Sequence, residues 1–495
     1  MILFFIYLFL ILFSLRTFKV FHIENCSKWT MTIAFSVKLL AGLFFYYIYV
    51  YKIGVNSEPS DALRFFNESK QLQTVFWKSK SDFFALFTGF GDNARMLHEH
   101  MDNTFIWDAG NFTLINDSRN TIRFHSLLHF FSNNNILIHF LALNVISLIG
   151  LQQLYLAFKS YSSVKPIYIF YAILLLPSLI FWSSSILKEP FLILGIGLFS
   201  RGILGNEIQN KKRYILILVG IIFLILFKPY IFVCLIPALI SYLLLKHIFK
   251  FKIIKTFLFT GITTIIILVS FNNQRKKFTE YISRKQFDLE NVGEGGVHAY
   301  IGRYVDNGYY YFKPNQYQNF SYVYDSILMT KPSDVYFLSV NTTQVPYRIT
   351  IQPTGEKWKI HNIMPGTESY FRSTLINNSF TQLIRNIPEA LINALFRPFI
   401  NDKGSTLKFP LIIEAWSVFI LLIISIIFKR KNIQKKELGI ISSLAIFSLL
   451  LLLLIGWTTP ISGAIVRFRF PAQLAILIIS MILIDYKRLI KTKNG

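Results

Sequence analysis

Cysteine is nearly missing from this sequence of 495 residues, with two in all, Cys26 and Cys234. They fall on opposite sides of the topology developed below, so neither a disulfide nor a cysteine-based metal centre is expected. Charge is scarce as well. Only 16% of residues are charged, against about a quarter in an ordinary soluble domain. Acid is the scarcer sign, with 26 Asp and Glu against 51 Lys and Arg. There is no phosphate-binding glycine loop, no dinucleotide fingerprint, no Gly-x-Ser-x-Gly elbow and no His-Glu-x-x-His motif. The common nucleotide-binding, serine-hydrolase and zinc-protease signatures are therefore excluded. No internal repeat or low-complexity tract is evident, which weighs against an inverted-repeat transporter. A removable signal peptide is not expected, because Met1 to Phe13 is apolar from its first residue and lacks a basic start and a small-residue cleavage site.

What is present is apolar. Hydrophobic residues make up 53% of the chain and aromatic ones 17%, with 50 Phe, and the mean hydropathy is +0.47. The apolar residues lie in blocks near the length of about 20 that crosses a bilayer. The pattern predicts about eleven spans, roughly 1–15, 32–52, 135–158, 166–186, 190–205, 214–227, 230–246, 256–271, 409–428, 438–456 and 468–485. The sixth and seventh are separated by Lys228-Pro229 and read equally as two short spans or one broken helix.

Basic residues set the orientation. Arg16, Lys19 and Lys28 share one side with Lys159 and Lys165, with Lys211, Lys212 and Arg213, and with Lys246, Lys250, Lys252 and Lys255. Lys429, Arg430, Lys431, Lys435, Lys436 and the tail residues Lys487, Arg488, Lys491 and Lys493 continue the set. These loops are expected to be cytoplasmic, with the C-terminus inside and the N-terminus outside. The formal charge of +25 is then a property of the cytoplasmic loops, and no nucleic-acid partner is expected.

The fold class expected is all-α: a polytopic transmembrane helical bundle with two outer-facing segments. Its parts are residues 1–52 (the first two spans), 53–134 (a first periplasmic segment), 135–271 (a central bundle), 272–408 (a second periplasmic segment) and 409–495 (the last spans with a basic tail). Within the first periplasmic segment, residues 61–76 carry Leu63, Phe65, Phe66, Leu72 and Phe76 on a broad apolar face, and 122–131 is similar. The second has strand-like and turn-like passages and ends in a helical pattern from Thr381 to Phe396.

Candidate chemistry lies in charges that break the positive-inside pattern. Lys188 and Glu189 close the fourth span at its outer edge, Lys228 lies between the sixth and seventh, Arg397 precedes the ninth, and Arg467 and Arg469 open the last. Ionisable groups at that depth are costly and usually face a cavity or partner. Two readings are open: separate snorkelling to lipid headgroups, or a shared site for the phosphate of a lipid carrier, with Arg as fork and Lys as point charge. The second is the expectation here. Lys188 and Glu189 also admit a structural ion-pair role. Carboxylates of the first periplasmic segment, Asp61 first and then Asp92 and Asp108, are candidates for a catalytic base; for Asp61 the alternative is a helix-capping role. His98, His100, His125 and His129 are expected to be structural, and no metal or other cofactor is indicated.

The stretch from Pro177 to Glu189 resembles the "P-S-x-x-F-W-S-S-G-x-x-K-E" stretch of bacterial membrane proteins associated with surface-polysaccharide synthesis, with Ser185 in place of Gly. Gly463 to Pro471 is similar to their "G-A-x-x-R-Y-R-x-P" stretch, with Phe468 for Tyr, and Phe396-Arg397-Pro398-Phe399 is similar to a third. Those proteins in turn resemble C-type integral-membrane glycosyltransferases and O-antigen polymerases. The resemblance implies an inner-membrane enzyme working on a polyprenyl-linked sugar donor and a saccharide or glycolipid acceptor, surrounded by membrane lipids. It implies a catalytic carboxylate in the first long outer loop, where Asp61 is the nearest counterpart, although the usual acidic pair is absent. A flippase or transporter for lipid-linked oligosaccharides and a non-enzymatic envelope-assembly component are the alternatives.

Overall fold

The computed structural model describes residues 1–23, 26–52, 60–90, 94–101, 104, 107, 116–162, 164–205, 207–248, 272–301, 308–339 and 346–491. Among them, six helices are long and apolar enough to cross a membrane: Thr30–Tyr51, Ile136–Tyr161, Pro229–His247, Lys408–Ile427, Lys435–Thr458 and Ser462–Leu483. The chain is thus a multi-pass, helix-rich membrane protein. The expectation of about eleven spans rests also on shorter helices. The first, α1 (Ile2–Thr17), has 16 residues, about 24 Å at 1.5 Å per residue, less than a hydrocarbon core of about 30 Å. The span expected at 166–186 is broken into Pro166–Leu174 and Pro177–Trp182, followed by non-helical residues 183–188. Proline lacks the amide donor of a helix interior but suits a first turn, which is why each piece starts on one. The stretch 214–246 is two helices, divided at Lys228. The span expected at 256–271 lies outside the described residues.

The chain forms two compact units. The first comprises Met1–Leu239, Leu421–Glu437 and Leu477–Gly495; the second comprises Ile240–Ile420 and Leu438–Ile476.

In the first unit, α2 (Thr30–Phe45), α3 (Asp61–Lys78), α4 (Lys80–Thr88), α5 (Ala94–Met101) and α6 (Asp117–Ser132) precede α7 (Ile136–Phe158). Then come α8 (Pro166–Leu174), α9 (Pro177–Trp182), α10 (Glu189–Leu204), α11 (Asn210–Phe227) and α12 (Pro229–Leu243). The amphipathic pattern of α3 is realised, with Phe65, Phe66, Leu72 and Val75 buried. At the crossing of α7 and α10, a Cβ on Gly197 would lie 2.2 Å from the carbonyl oxygen of Gly150. Only paired glycines allow two helix backbones to approach so closely.

The second unit amends the all-α expectation. After α13 (Asn272–Glu294), seven strands among the described residues form one antiparallel sheet in the order β3-β4-β7-β1-β2-β5-β6. They are β1 (Gly296–Tyr300), β2 (Tyr309–Phe312), β3 (Phe320–Val323), β4 (Ser326–Met329), β5 (Ser333–Leu338), β6 (Tyr347–Ile351) and β7 (Lys357–Met364). Period-two alternation explains the sheet. Val297 and Ala299 turn to one face with Phe312, Phe320, Ile327, Val335 and Trp358, while Tyr311 and Leu338 turn to the other with Phe287 of α13. Gly296 (φ +142) sits where a Cβ would strike the Tyr311 ring at 2.4 Å. An irregular strap, residues 365–379, then leads to α14 (Phe380–Arg385) and α15 (Ile387–Phe396). The last long helices are α16 (Lys408–Ile427), α17 (Lys435–Thr458) and α18 (Ser462–Leu483).

Candidate functional site

One array of charge in the first unit is built from helix ends and runs into the interior. The side-chain oxygen of Asn116 caps α6, accepting from the amides of Ser118 and Arg119 at 3.1 Å each. That cap presents Asp117 and Ser118 on the first turn. The Lys188 ammonium lies 2.7 Å from the Asp117 carboxylate and donates to Ser118 Oγ at 2.8 Å. The next residue, Glu189, opens α10, and its Oε1 lies 3.2 Å from Lys228 Nζ. The result is an alternating run, Asp117–Lys188 and Glu189–Lys228, joined covalently through the 188–189 peptide bond.

Helix dipoles explain two of the four placements. Asp117 and Glu189 lie in first turns, where negative charge is favoured, whereas Lys228 stands between the C-terminal end of α11 and the N-terminal end of α12, whose preferences oppose each other. Lys188 precedes the N-terminus of α10 against this preference, so Asp117 has to hold it. Burial decreases toward the Asp117 end: the side chains of Glu189 and Lys228 are 1% and 5% exposed, those of Lys188 and Asp117 11% and 34%. The Phe65 ring of α3 lies 5.8 Å from Lys188 Nζ. Asp61 is exposed at the start of α3, one turn before Phe65 and therefore on the same helix face.

Lys38, in the middle of an expected span, was not anticipated as a site residue. It is fully buried and donates to Ser183 Oγ at 2.8 Å, Ser184 Oγ at 3.0 Å and the Ser183 carbonyl at 3.1 Å. Asn144 of α7 donates to the Ser184 carbonyl at 3.3 Å. Lys38 and Asn144 together clasp the non-helical turn whose far end carries Lys188 and Glu189. A lone Lys in an apolar run was the available signal. For Asp117 the signal was the polar run Asn116-Asp117-Ser118-Arg119-Asn120 ahead of an apolar block.

Three buried histidines of this unit, His125, His129 and His139, bond to one another and to serines. His125 Nδ1 and His139 Nδ1 are 2.9 Å apart, His139 Nε2 meets Ser132 Oγ at 2.9 Å, and His129 Nε2 meets Ser69 Oγ at 2.9 Å. His100 meets Asp82 at 3.0 Å. Among the described residues, no group of three His, Cys, Asp or Glu side chains is arranged to hold a metal ion. Asp92 and Asp108 lie outside the described residues.

Arg397, Arg467 and Arg469 belong to the second unit. Arg397 donates to Asp402 Oδ1 at 2.5 Å and to Asn393 Oδ1 at 2.9 Å, with its guanidinium 3.6 Å from the centre of the Phe371 ring. The other Asp402 oxygen accepts from the Phe399 amide at 2.8 Å and Ser462 Oγ at 3.1 Å. Arg469 is fully buried. It donates to the carbonyls of Ala394 at 3.3 Å, Leu395 at 3.2 Å and Arg397, satisfying acceptors that the end of α15 leaves open. Glu414 supplies the opposing charge. Arg467 lies on α18 one turn beyond Gly463, which faces Ser369 of the strap.

Outside the spans of this unit, burial pushes the Glu290 carboxyl up, with Lys313 opposing the shift, and Glu290 accepts from the Tyr370 hydroxyl at 3.2 Å. Burial also pushes the Tyr370 hydroxyl up, and it lowers His298 to about 4.

No family model, curated protein or solved structure matches this chain.

Proposed function

We propose that this chain is a bacterial inner-membrane glycosyltransferase or polysaccharide polymerase that uses a polyprenyl-phosphate or diphosphate-linked sugar at the periplasmic face. The observation that carries the reading is the graded run Asp117–Lys188–Glu189–Lys228, with Asp61 one turn from the Phe65 ring beside Lys188. Its buried end is neutralised and fixed. Its exposed end offers a lysine and a serine hydroxyl to an anion, and a carboxylate that the anion can replace on the lysine. The outward sidedness follows from the basic loops, with the N-terminus outside and the C-terminus inside.

In this mechanism the lipid phosphate takes Lys188 and Ser118 Oγ, and Asp117 is released from its ion pair. An acceptor hydroxyl attacks the anomeric carbon while the bond from that carbon to the phosphate oxygen breaks. The hydroxyl proton passes to Asp117 or Asp61, and the leaving phosphate keeps the electron pair, stabilised by Lys188. Configuration inverts. The assay is product formation from a polyprenyl-phosphate sugar in proteoliposomes. The base, Asp117 or Asp61, should lose about 10²–10⁴-fold in turnover as Asn while donor binding persists. Full turnover in Asp117→Asn/Asp61→Asn would overturn the assignment.

One observation favours a second reading. Lys38 places a buried cation within a candidate span, bonded to the non-helical turn 183–188, and a buried cation in a span is a feature of transporter sites. Movement of a lipid-linked saccharide across liposomes without new glycosidic bonds would establish that reading instead.

A further inference from the structure

Tyr370 lines a cavity of about 440 Å³ in the second unit, together with Thr367, Glu368, Lys403 and Gly404. That volume lies in the range of small-molecule sites, about 300–1,000 Å³. Its walls are fixed at several points. The Thr367 amide donates to the Gly293 carbonyl at 2.8 Å, the Phe371 amide to Pro460 at 3.0 Å, and the Ser462 amide to Ser369 at 2.9 Å. Asp402, beside Lys403, is held by Arg397 and Ser462.

Within this fixed frame two charged heads are uncommitted. Glu368 and Lys403 are exposed and bond to no other described residue. Some other charged groups of the unit are paired, as in Lys313–Glu294 at 3.1 Å and Arg284–Asp288 at 2.8 Å. The two heads have opposite sign, so the cavity has no net preference for an anion or a cation. It offers a strong acceptor, a strong donor, the Thr367 hydroxyl and an aromatic ring, and at Gly404 it leaves the main chain open to close approach. Tyr370 is oriented from behind by Glu290, which accepts its hydroxyl hydrogen at 3.2 Å. Donors and acceptors around an aromatic ring suit a ligand whose rim carries hydroxyls and whose face is apolar.

We propose that this cavity binds a neutral, hydroxyl-rich saccharide unit, with Glu368 and Lys403 engaging its hydroxyls and Tyr370 its apolar face. The binding itself does not rest on the transferase reading above.

The test is saturation-transfer NMR on the full chain in detergent, with lactose, cellobiose and diacetylchitobiose as probes. Saturable binding of at least one disaccharide is expected. Glu368→Ala and Lys403→Ala should each weaken it about ten- to hundredfold, the loss of one hydrogen bond to a charged group. Both positions are exposed, so both variants should fold. Lys188→Ala should bind the probe as the unaltered chain does, which separates failure here from failure of the donor site. No saturable binding by any probe, or unchanged binding in the Glu368→Ala/Lys403→Ala double variant, would overturn the proposal.

Discussion

Lys228 and Glu189 form an ion pair of 3.2 Å with 5% and 1% of their side chains exposed, tying the break between α11 and α12 to the first turn of α10. Removing one member leaves the other charge buried, which costs about 3–5 kcal/mol, whereas replacing both with apolar groups is often neutral or better. Glu189→Gln should therefore lower the thermal midpoint in detergent sharply. Glu189→Leu/Lys228→Met should recover most of it. Equal midpoints for the single variant and the unaltered chain would show that the pair holds nothing together.

Lys38→Met keeps the length of the side chain but leaves Ser183 and Ser184 without their donor. A lost buried partner costs about 1–3 kcal/mol, and the loosened turn carries Lys188 and Glu189. Stability and sugar transfer should fall together in this variant. A loss of stability with transfer intact would limit Lys38 to holding the bundle.

How much of this was legible in the sequence depends on the kind of signal. The long apolar helices and the face of α3 follow from periodicity alone, and Lys188, Glu189 and Lys228 stand out as charges in apolar surroundings. Their partners do not: Asp117 is 71 residues from Lys188 in sequence, and nothing local announces the pairing. The sheet was seen only as strand-like passages, because strands of four to eight residues leave short alternations and their pairing is non-local. Arg469 read as a phosphate ligand from its residue type, yet it is used on the open carbonyls of α15, an arrangement visible only once the helix end is in place.

The α7–α10 contact yields a packing test. Gly197→Val would drive a branched side chain into the Gly150 backbone, where even a Cβ comes within 2.2 Å. Overpacking costs about 1–3 kcal/mol or more, so a clear fall in thermal midpoint is expected, and an unchanged midpoint would mean that the helices do not touch there.

His298 is buried on β1 against Tyr309 and Tyr311, with ring centres 5.1 and 5.0 Å away, and burial, with the nearby His361, lowers it from 6.5 to about 4. The unfolded chain therefore takes up this proton first as pH falls from 6.5. Stability from this group is complete above pH 6.5 and is lost progressively toward pH 4, by about 3 kcal/mol in all. Glu290, shifted upward by burial, acts in the opposite sense: its folded state holds the proton longer, so it lowers stability as pH rises above its ordinary range. The difference between the unaltered chain and His298→Phe isolates the histidine. The stability of the unaltered chain relative to His298→Phe should fall between pH 7 and pH 4.5; a constant difference would contradict the shift.

Sidedness is tested with single cysteines in a chain whose Cys26 and Cys234 are replaced by Ser. Thr354→Cys, in the exposed turn before β7, should react with an impermeant thiol reagent from the periplasm, and the exposed Asn432→Cys should not. Labelling of Asn432→Cys from outside would reverse the orientation.

The most direct test of the donor site is equilibrium binding of a short-chain polyprenyl phosphate, compared with the corresponding polyprenol, to the full chain in nanodiscs. The phosphate form should bind saturably and the alcohol should not. Lys188→Ala should weaken phosphate binding about ten- to hundredfold, because it removes one charge-assisted hydrogen bond, and Lys188→Arg should restore part of it. Equal affinity for phosphate and alcohol, or undiminished phosphate binding in Lys188→Ala, would contradict a lipid-phosphate site at the Asp117–Lys188 pair.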